Sequence, residues 1–483
     1  MRKFVSVVAA VLMVLVALST VARGDGISPT NDQQQSKCRF GGDERIREEA
    51  FDDIPINAPP PGLARGGHND YFRFRTRLWN EDDLGPNTTF RIRAVNEFRE
   101  WYEPQHYPSA QRSNYNFPDE VTFDTLYLDF RNLMQDKLDL RVGRQDLMYG
   151  TGKVILEGTP KDGSRTIYFN AIKATWKGVK DTTIDVFGIY NPGKDPLAIN
   201  DADRDLDGQT ADNADAAESG AGIYVKNKSS EQLPFEVYAI YKNEENYETP
   251  ATPDPTSPTG FKAPTKAWQK LDPVNGMIDD PSLDIGTFGF RLMPVFSDRL
   301  TGNLEAAYQV GQRDTEDQHG YMVDAFLTYQ VQFLKSLKPA VDYGLYYLSG
   351  DDPKTKADEG WDPLWARYPQ YSELYIYGYD ADGAGRWSNL SMPHAGLTFY
   401  PADWLKTTAM VGYMYAPEAD GPGGGHERGW LGVVKGEFTI KEKILTKTDK
   451  LTGHLWLEVL EPGDYYSENQ TGWFARWEVA YEF

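Results

Sequence analysis

The sequence of 483 residues lacks two features that stabilise or anchor many secreted proteins. It contains one cysteine, Cys38, so no internal disulfide can form. Beyond residue 24 it contains no run of 18 apolar residues, which excludes a transmembrane helix from that part of the chain. A membrane protein stays compatible with this composition, because a membrane-spanning β-strand needs only alternate apolar residues over about 10 positions.

Basic charge and histidine are also scarce. The formal net charge is −22, with 50 Lys and Arg against 72 Asp and Glu. Nucleic acid is therefore not expected as a partner, since phosphate binding needs a basic surface. Of six histidines, His394 and His454 fall on predicted strands, and no Gly-x-Ser-x-Gly motif lies near them. We identify no nucleophile with its base, so we expect no catalytic residues and no enzymatic activity.

The first 24 residues have the pattern of a secretory signal. Arg2 and Lys3 precede an apolar stretch from Phe4 to Leu18, and small residues flank a cleavage site near Gly24. We expect cleavage there, which leaves residues 25–483 as a single domain. The alternative is a buried N-terminal helix.

Aromatic residues are abundant, at 13% of the chain, and they occur in segments where polar and apolar residues alternate. In YFRFRTRLW (71–79), three arginines occupy every second position. Successive side chains of a strand point to opposite faces, so the three cations share one face. Beyond residue 120 such segments come in pairs, typical of β-hairpins: 121–131 with 138–148, 166–176 with 182–191, 221–228 with 233–242, 284–293 with 301–311, 320–333 with 339–350, 392–400 with 406–416, and 429–441 with 450–461.

Short linkers alternate with long ones along the chain. The long linkers are rich in Asp, Gly, Pro and Asn, and the longest are 192–220, 244–283 and 350–386. Bacterial outer-membrane barrels alternate short periplasmic turns with long extracellular loops in this way. The final segment, WFARWEVAYEF (473–483), carries an aromatic outward face and ends on an aromatic residue. This pattern predicts that the chain crosses an outer membrane with strands.

Counting strands back from the C-terminus requires an upward strand before 71–79. The only candidate is 40–51, although its face with Glu44, Ile46 and Glu48 is poorly apolar. With it, the sequence predicts an all-β fold, a transmembrane antiparallel β-barrel of about 18 strands with short periplasmic turns and long extracellular loops. The alternative is a soluble β-sandwich or propeller, whose apolar faces would meet in a core.

The stretch GRQDLMYGTGKVILEGTPKDGSRTIYFNAI (143–172), preceded by LYLDF and LDLRV, resembles the signature region of the alginate export family of outer-membrane proteins. RIREE near the start, the arginine-rich segments 71–79 and 90–101, and LEPGDYYSENQ before the last segment resemble the same family. The resemblance covers most of the chain after residue 24. It implies an 18-stranded barrel that passes an anionic polysaccharide through a basic interior, with cations on the early strands and around GRQ.

Several arginines share the inward face of their predicted strands. Arginine suits weak, repeated contact with uronate carboxylates, because its planar fork pairs with carboxylate and it keeps its charge at any physiological pH. Acids on the same faces, Glu97, Asp129 and Asp139, offer an alternative in which the arginines form a self-neutralising wall network. Both interpretations stay open for Arg73, Arg75, Arg77, Arg91, Arg93, Arg99 and Arg141.

Three further residues are candidate contacts. Arg144 has the outward parity of its strand, and it joins the inward cations only if a bulge at Gly143 or the end of the strand turns it. Asp162 and Arg165 lie in a predicted extracellular loop, where they form either a constriction or a salt bridge within a turn.

The acidic segment DADRDLDG (201–208) imitates part of a calcium loop. The EF-hand pattern requires an acid at its twelfth position, where this chain has Ala214. We therefore expect a solvated loop, with no metal site and no cofactor.

The function that these features predict is a passive outer-membrane channel for anionic solutes, in particular export or passage of an acidic, alginate-like polysaccharide. The alternatives are a general or small-organic-anion porin and a non-conducting barrel used for surface adhesion. The expected partners are outer-membrane lipid and anionic polysaccharide or organic anions, with periplasmic export proteins as further candidates. The sequence leaves open whether a long loop, 245–283 or 350–386, fills the interior.

Overall fold

The computed structural model describes residues 38–52, 69–103, 120–157, 168–193, 195–199, 217–251, 257–261, 270–366, 371–374, 388–419, 421, 423–466 and 469–483. The segment from Cys38 to Phe483 forms one compact unit. The predicted signal segment, Asp162, Arg165 and the acidic segment 201–208 lie outside the described residues.

Regular structure in the described residues is almost entirely β. The strands are β1 (Cys38–Asp52), β2 (Asn69–Gly85), β3 (Thr88–Glu103), β4 (Glu120–Asn132), β5 (Leu138–Gln145), β6 (Leu147–Met148), β7 (Leu156–Glu157), β8 (Phe169–Val179), β9 (Thr182–Asn191), β10 (Glu218–Asn227), β11 (Phe235–Glu244), β12 (Tyr247–Pro250), β13 (Lys270–Asp272), β14 (Met277–Asp280), β15 (Leu283–Leu292), β16 (Val295–Ser297), β17 (Leu300–Arg313), β18 (Glu316–Gln330), β19 (Ala340–Leu348), β20 (Leu390–Ala402), β21 (Leu405–Tyr415), β22 (Glu427–Glu442), β23 (Lys450–Glu461) and β24 (Gly472–Glu482). Single helical turns are Leu133–Asp136 and Lys335–Leu337. Among the described helices, none has the length and apolar character needed to cross a membrane.

Eighteen strands of the described chain close into an antiparallel barrel. β15 continues as β16 after Met293 and Pro294, so these two count as one wall strand; both pair with β17. β1 pairs with β2 on one side and with β24 on the other, from Asp43 opposite Glu482 to Asp52 opposite Trp473. The order around the ring is β1, β2, β3, β4, β5, β8, β9, β10, β11, β15, β17, β18, β19, β20, β21, β22, β23 and β24. The predicted fold class is confirmed.

The predicted strands correspond to the wall strands with shifts of a few residues at their ends, and the weakly apolar segment 40–51 is β1. Two details differ from the sequence-based prediction. The segment 138–148 leaves the wall after Gln145. The alternation of linker lengths also fails once, because only residues 314–315 separate β17 from β18 on the long-loop side.

The two faces of the wall differ as the alternation predicts. Outward side chains such as Phe288, Tyr308 and Leu457 are exposed on the outer surface, while inward Glu305 and Gln309 are buried. On β1 the outward face includes two carboxylates. Glu44 accepts a hydrogen bond from the Thr76 hydroxyl at 2.6 Å, and Glu48 accepts one from the Trp477 indole.

Two segments fold from the wall into the interior. The first inward segment, 146–156, follows β5, and the second inward segment, 349–366 with 371–374, follows β19. They meet where the backbone N–H of Trp365 donates to the Val154 carbonyl at 3.2 Å. Contacts with inward wall side chains place them inside, since the Thr151 hydroxyl donates to Glu305 at 3.1 Å and the Trp365 indole donates to Glu218 at 2.9 Å. The apolar core of the protein therefore lies inside the barrel, around these segments.

Candidate functional site

The inward face of four adjoining wall strands carries a dense set of arginines, which we name the arginine wall. On β1 and β2, Arg45 lies directly opposite Arg75 and Arg47 opposite Arg73. Like charges in such positions repel, so the set requires interleaved carboxylates. The arginine wall consists of Arg45 and Arg47 on β1, Arg73, Arg75 and Arg77 on β2, Arg91, Arg93 and Arg99 on β3, and Arg476 on β24.

Two buried carboxylates hold the centre of the arginine wall. Glu49 lies 2.7 Å from both Arg47 and Arg476, and 3.6 Å from Arg73. Glu97 accepts a hydrogen bond from Arg73 Nε at 2.6 Å and lies 3.5 Å from Arg45. Each carboxylate is thus shared by several guanidinium groups, which offsets the cost of burying their charges.

Carboxylates also pair with most of the remaining arginines of β2 and β3. Asp43 accepts hydrogen bonds from Arg77 at 2.6 Å and from Arg75 at 3.0 Å. Further along, Arg91 pairs with Glu81 at 2.7 Å and Arg93 with Asp124 at 2.7 Å. Arg99 lies over the Tyr71 ring, 5.2 Å from its centroid. The arginine wall is consequently a network of ion pairs rather than a row of isolated cations.

Access to water increases toward the short-turn end. The side chain of Arg45 is 2% exposed, whereas Arg91 is 22% and Arg141 28% exposed. The exposed guanidinium groups lie over aromatic rings, Arg91 over Trp79 at 4.5 Å and Arg141 over Tyr127 at 4.0 Å. The cations at this end are therefore partly hydrated and lie against aromatic rings.

The acids predicted from strand parity have different partners. Glu97 pairs with Arg73, and Asp129 binds Arg141 through two hydrogen bonds of 2.6 and 2.8 Å. Asp139 lies at the short-turn end and pairs with Lys177 at 2.8 Å instead of with an arginine of the wall.

Arg144 is buried, and the residue before it, Gly143, has an unusual backbone conformation. Gly143 has φ +125, a conformation that favours glycine. The Arg144 guanidinium pairs with Asp195 at 2.7 and 3.1 Å, and its Nε donates to Asn170 at 3.0 Å. Arg144 therefore departs from the outward parity of its strand, the case that the sequence analysis linked to Gly143 or the end of the strand, and it is paired with Asp195.

Side chains of two wall strands, β23 and β18, bind the second inward segment. The Glu458 carboxylate accepts the backbone N–H of Glu373 at 2.9 Å, that of Leu374 at 3.0 Å, and the Ser372 hydroxyl. On the other side, the Tyr371 hydroxyl donates to Asp324 at 2.7 Å. Burial, with Asp324 beside it, raises the pKa of Tyr371 well above its ordinary value, so this hydroxyl remains a donor.

Sequence reasoning omitted Arg45, Arg47 and Arg476 from the candidate site, although they share the inward parity of their strands. That parity was the available signal for all three. Glu373 gave no such signal, because it lies in a long linker without alternation. The structure nevertheless brings it to Arg476, whose Nη2 donates to the Glu373 carboxylate at 2.7 Å.

The strand histidines have wall partners. His394 Nδ1 lies 3.2 Å from the Met392 carbonyl, and His454 Nδ1 lies 3.5 Å from Glu478. Within the described part of the chain, no cluster of three or more His, Cys, Asp or Glu is arranged to hold a metal ion.

Comparison with known proteins shows the family to which this chain belongs. The sequence profile of the Alginate export family matches residues 36–421. The chain belongs to the alginate export family. No curated protein sequence matches it significantly.

Several solved structures share the fold. Acinetobacter baumannii OccAB1 superposes with a TM-score of 0.56 at 10% identity, over 94% of this chain and 100% of that one. A BenF-like porin from Pseudomonas fluorescens Pf-5 gives 0.55 at 9% identity, over 92% and 98%. Pseudomonas aeruginosa OpdQ gives 0.54 at 11% identity, over 92% and 97%. The family indicates an outer-membrane channel, and the solved structures show that its barrel fold is shared with these proteins.

Proposed function

We propose that this channel passes anionic solutes, in particular an acidic, alginate-like polysaccharide or its fragments, along the arginine wall. The observation that supports the proposal is the concentration of nine arginines on the inward face of β1, β2, β3 and β24. Membership of the alginate export family is consistent with a uronate polymer. The channel itself is passive and carries out no chemistry.

The ion pairs of the arginine wall suit transport better than isolated cations would. A passing carboxylate that binds Arg91 or Arg77 must replace a wall carboxylate, Glu81 or Asp43, so the net gain of each contact is small. Transport requires binding that is strong enough for entry and weak enough for release. Exchange between wall and solute carboxylates supplies such weak, repeated contacts.

A second candidate function is passage of small organic anions. The two inward segments occupy part of the interior, which favours a narrower path than a polymer needs. The fold is shared with Pseudomonas aeruginosa OpdK, solved with vanillate, at a TM-score of 0.53 and 10% identity. Single-channel recording in planar bilayers distinguishes the two candidates, because oligouronates should block only a polymer channel, and a silent barrel would contradict both.

Neutralising three residues of the arginine wall should reduce the anion selectivity of the channel. In a triple variant with Arg73→Gln, Arg75→Gln and Arg77→Gln, Glu97 and Asp43 lose cationic partners, so the interior potential becomes more negative. We expect the ratio of anion to cation permeability, measured from reversal potentials in a salt gradient, to fall several-fold.

The matched control is Arg299→Gln, which removes an arginine that lies in an exposed short turn and does not belong to the arginine wall. It should leave the reversal potential unchanged. An unchanged reversal potential in the triple variant would contradict the proposed role of the arginine wall.

We also propose that residues 1–24 are removed near Gly24 during export, which leaves residues 25–483 as one outer-membrane domain. Mass spectrometry of the protein purified from outer membranes would measure the mature N-terminus. A chain that retains Met1 would exclude this.

A further inference from the structure

Two lysines on the inner face of the barrel have no ion-pair partner within the described part of the chain. They are Lys173 on β8 and Lys226 on β10, and both are partly exposed. Their neighbours Ile172 and Ile223 are exposed on the outer surface, so the alternation of the strands turns both lysines inward. In this respect the two lysines differ from most cations of the arginine wall.

Lys226 lies opposite a carboxylate that binds other groups. Glu236 faces Lys226 across β10 and β11. Its carboxylate accepts a hydrogen bond from the Tyr224 hydroxyl at 2.7 Å and lies 3.4 Å from Arg291. The Lys226 ammonium group lies instead over two aromatic rings, 5.1 Å from the centroid of Tyr149 and 5.4 Å from that of Tyr224. The ring faces attract the cation, but they do not neutralise its charge.

Lys173 lies opposite another cation. It faces Arg141 directly across β5 and β8, and like charges in such positions repel each other. Asp129 binds Arg141 through two hydrogen bonds. Asp185, on the neighbouring strand β9, accepts the Thr175 hydroxyl at 2.6 Å. Lys173 therefore has carboxylates in its surroundings but makes an ion pair with neither of them.

The charges around Lys173 favour an additional anion. Asp185 and Asp129 attract its ammonium group, whereas Arg141 and Lys226 repel it. A carboxylate that enters among these three cations offsets their mutual repulsion and accepts charge-assisted hydrogen bonds from the lysine N–H groups. No carboxylate of the protein has to leave Lys173 or Lys226 before this contact forms.

The three cations are open to water on one side. The Arg141 side chain is 28% exposed, and Lys226 lies one residue before the end of β10, at the short turn. On the other side lies the first inward segment, whose Tyr149 ring stacks on Tyr224 at 4.4 Å and on Phe187 at 5.3 Å between centroids. The cations therefore lie between the first inward segment and the short-turn end of the barrel.

We propose that Lys173, Lys226 and Arg141 form a binding site for one solute carboxylate on the short-turn side of the first inward segment. On the arginine wall a solute has to displace a carboxylate of the protein, so a contact with the unpaired lysines should be stronger. This inference rests on the proposed passage of anionic solutes. The carboxylate belongs either to a uronate chain or to a small organic acid, and the choice of probes distinguishes these two sources.

The test measures block of the chloride current through the full-length channel in planar bilayers. The probes are a homogeneous tetrauronate, benzoate, and maltotetraose, which is a neutral tetrasaccharide. Lys173→Gln and Lys226→Gln should each raise the tetrauronate or benzoate concentration for half-maximal block about tenfold, the effect of one charge-assisted hydrogen bond. Lys173→Arg should retain the block, because it keeps the charge. Maltotetraose should act equally on all of these channels.

Lys177→Gln is the matched control, since it removes a lysine of the same strand that already pairs with Asp139 at 2.8 Å. It should leave the half-maximal block nearly unchanged. A shift for tetrauronate alone would assign the site to a uronate chain, and a shift for benzoate alone would assign it to a small organic acid.

Unchanged block by both anions in the two glutamine variants would overturn the site. An equal shift for maltotetraose would also overturn it, because it indicates a change in the width of the path. The proposed function itself fails if the reversal potential shows that the unmodified channel prefers cations, a result that does not depend on block.

Discussion

A single glycine decides where one of the predicted lumen cations goes. Gly143 adopts φ +125, and a Cβ built on it would lie 2.2 Å from the Leu126 carbonyl oxygen. Only glycine tolerates both the backbone conformation and the close approach. The next residue, Arg144, pairs with Asp195, and the chain leaves the wall after Gln145.

Substituting this glycine should destabilise the barrel. For Gly143→Ala we expect a loss of roughly 1–3 kcal/mol in the free energy of unfolding, the usual cost of a strained backbone conformation. Urea unfolding in lipid vesicles, followed by tryptophan fluorescence, measures it. Gly432→Ala is the control, because its Cβ would meet nothing closer than the Val459 carbonyl oxygen at 4.0 Å. Coincident unfolding curves for the two variants would contradict the role given to Gly143.

The turn between β22 and β23 illustrates how a short element is fixed to its neighbour. Asp449 accepts the backbone N–H groups of Ile444, Leu445 and Thr446 at 2.6–3.0 Å, and the Tyr481 hydroxyl of β24 at 2.6 Å. Burial opposes its charge, but the hydrogen bonds from Tyr481 and the turn outweigh it and lower the pKa of Asp449 to about 2. The turn is thereby tied to the last strand through one ionised side chain.

This depressed pKa gives the turn a defined pH dependence. The folded-state value of about 2 lies below the ordinary 3.8, so the ionised carboxylate stabilises the fold above pH 4, and that contribution is lost as pH falls from about 4 to 2. Asp449→Asn should therefore lower the thermal unfolding midpoint at pH 7, and the difference should vanish near pH 2. Asp403→Asn, in the neighbouring short turn, is the control. A difference independent of pH would show that Asp449 does not act through its charge.

At the level of elements, the wall strands were predictable and the inward segments were not. Alternation with period two identifies a strand and its inward face, which is why Glu97 and Asp129 were placed beside arginines correctly. Parity alone gave Arg144 an outward position, and the sequence could name Gly143 or the strand end as the point where this parity is lost without deciding between them. Glu373 and Asp195 reach their partners across 103 and 51 residues, and no local pattern encodes such contacts between a loop and the wall.

On the scale of the whole described chain, the structure consists of a barrel wall and an internal core built by the two inward segments. Trp365 lies at the junction of the two inward segments, where it is fully buried between Val154 and the Glu218 carboxylate of β10. Lys242 reinforces the junction by donating to the Leu364 carbonyl at 3.1 Å. The packing of these segments, rather than the wall, should therefore limit the width of the path.

Trp365→Ala should widen that path. Loss of a buried indole removes about 3–5 kcal/mol of packing, which loosens the inward segments while the strand ladder of the wall is retained. We expect higher single-channel conductance and entry of larger neutral polyethylene glycols. Trp404→Ala, at an exposed turn position, serves as the comparison. Equal conductance in both variants would show that the inward segments do not limit flow.

The seam between β1 and β24 has a consequence for biogenesis. The Trp473 indole donates a hydrogen bond to Asp52 across 421 residues of chain. Of the described strands, β1 is synthesised first and β24 last, so β1 can pair with β24 only when synthesis is almost complete. Until then, a folding intermediate of the barrel has two unpaired strand edges, and unpaired edges promote aggregation. The pairing of β1 with β24 is therefore the last step that removes these edges, and the chain is most open to edge-to-edge association before it forms.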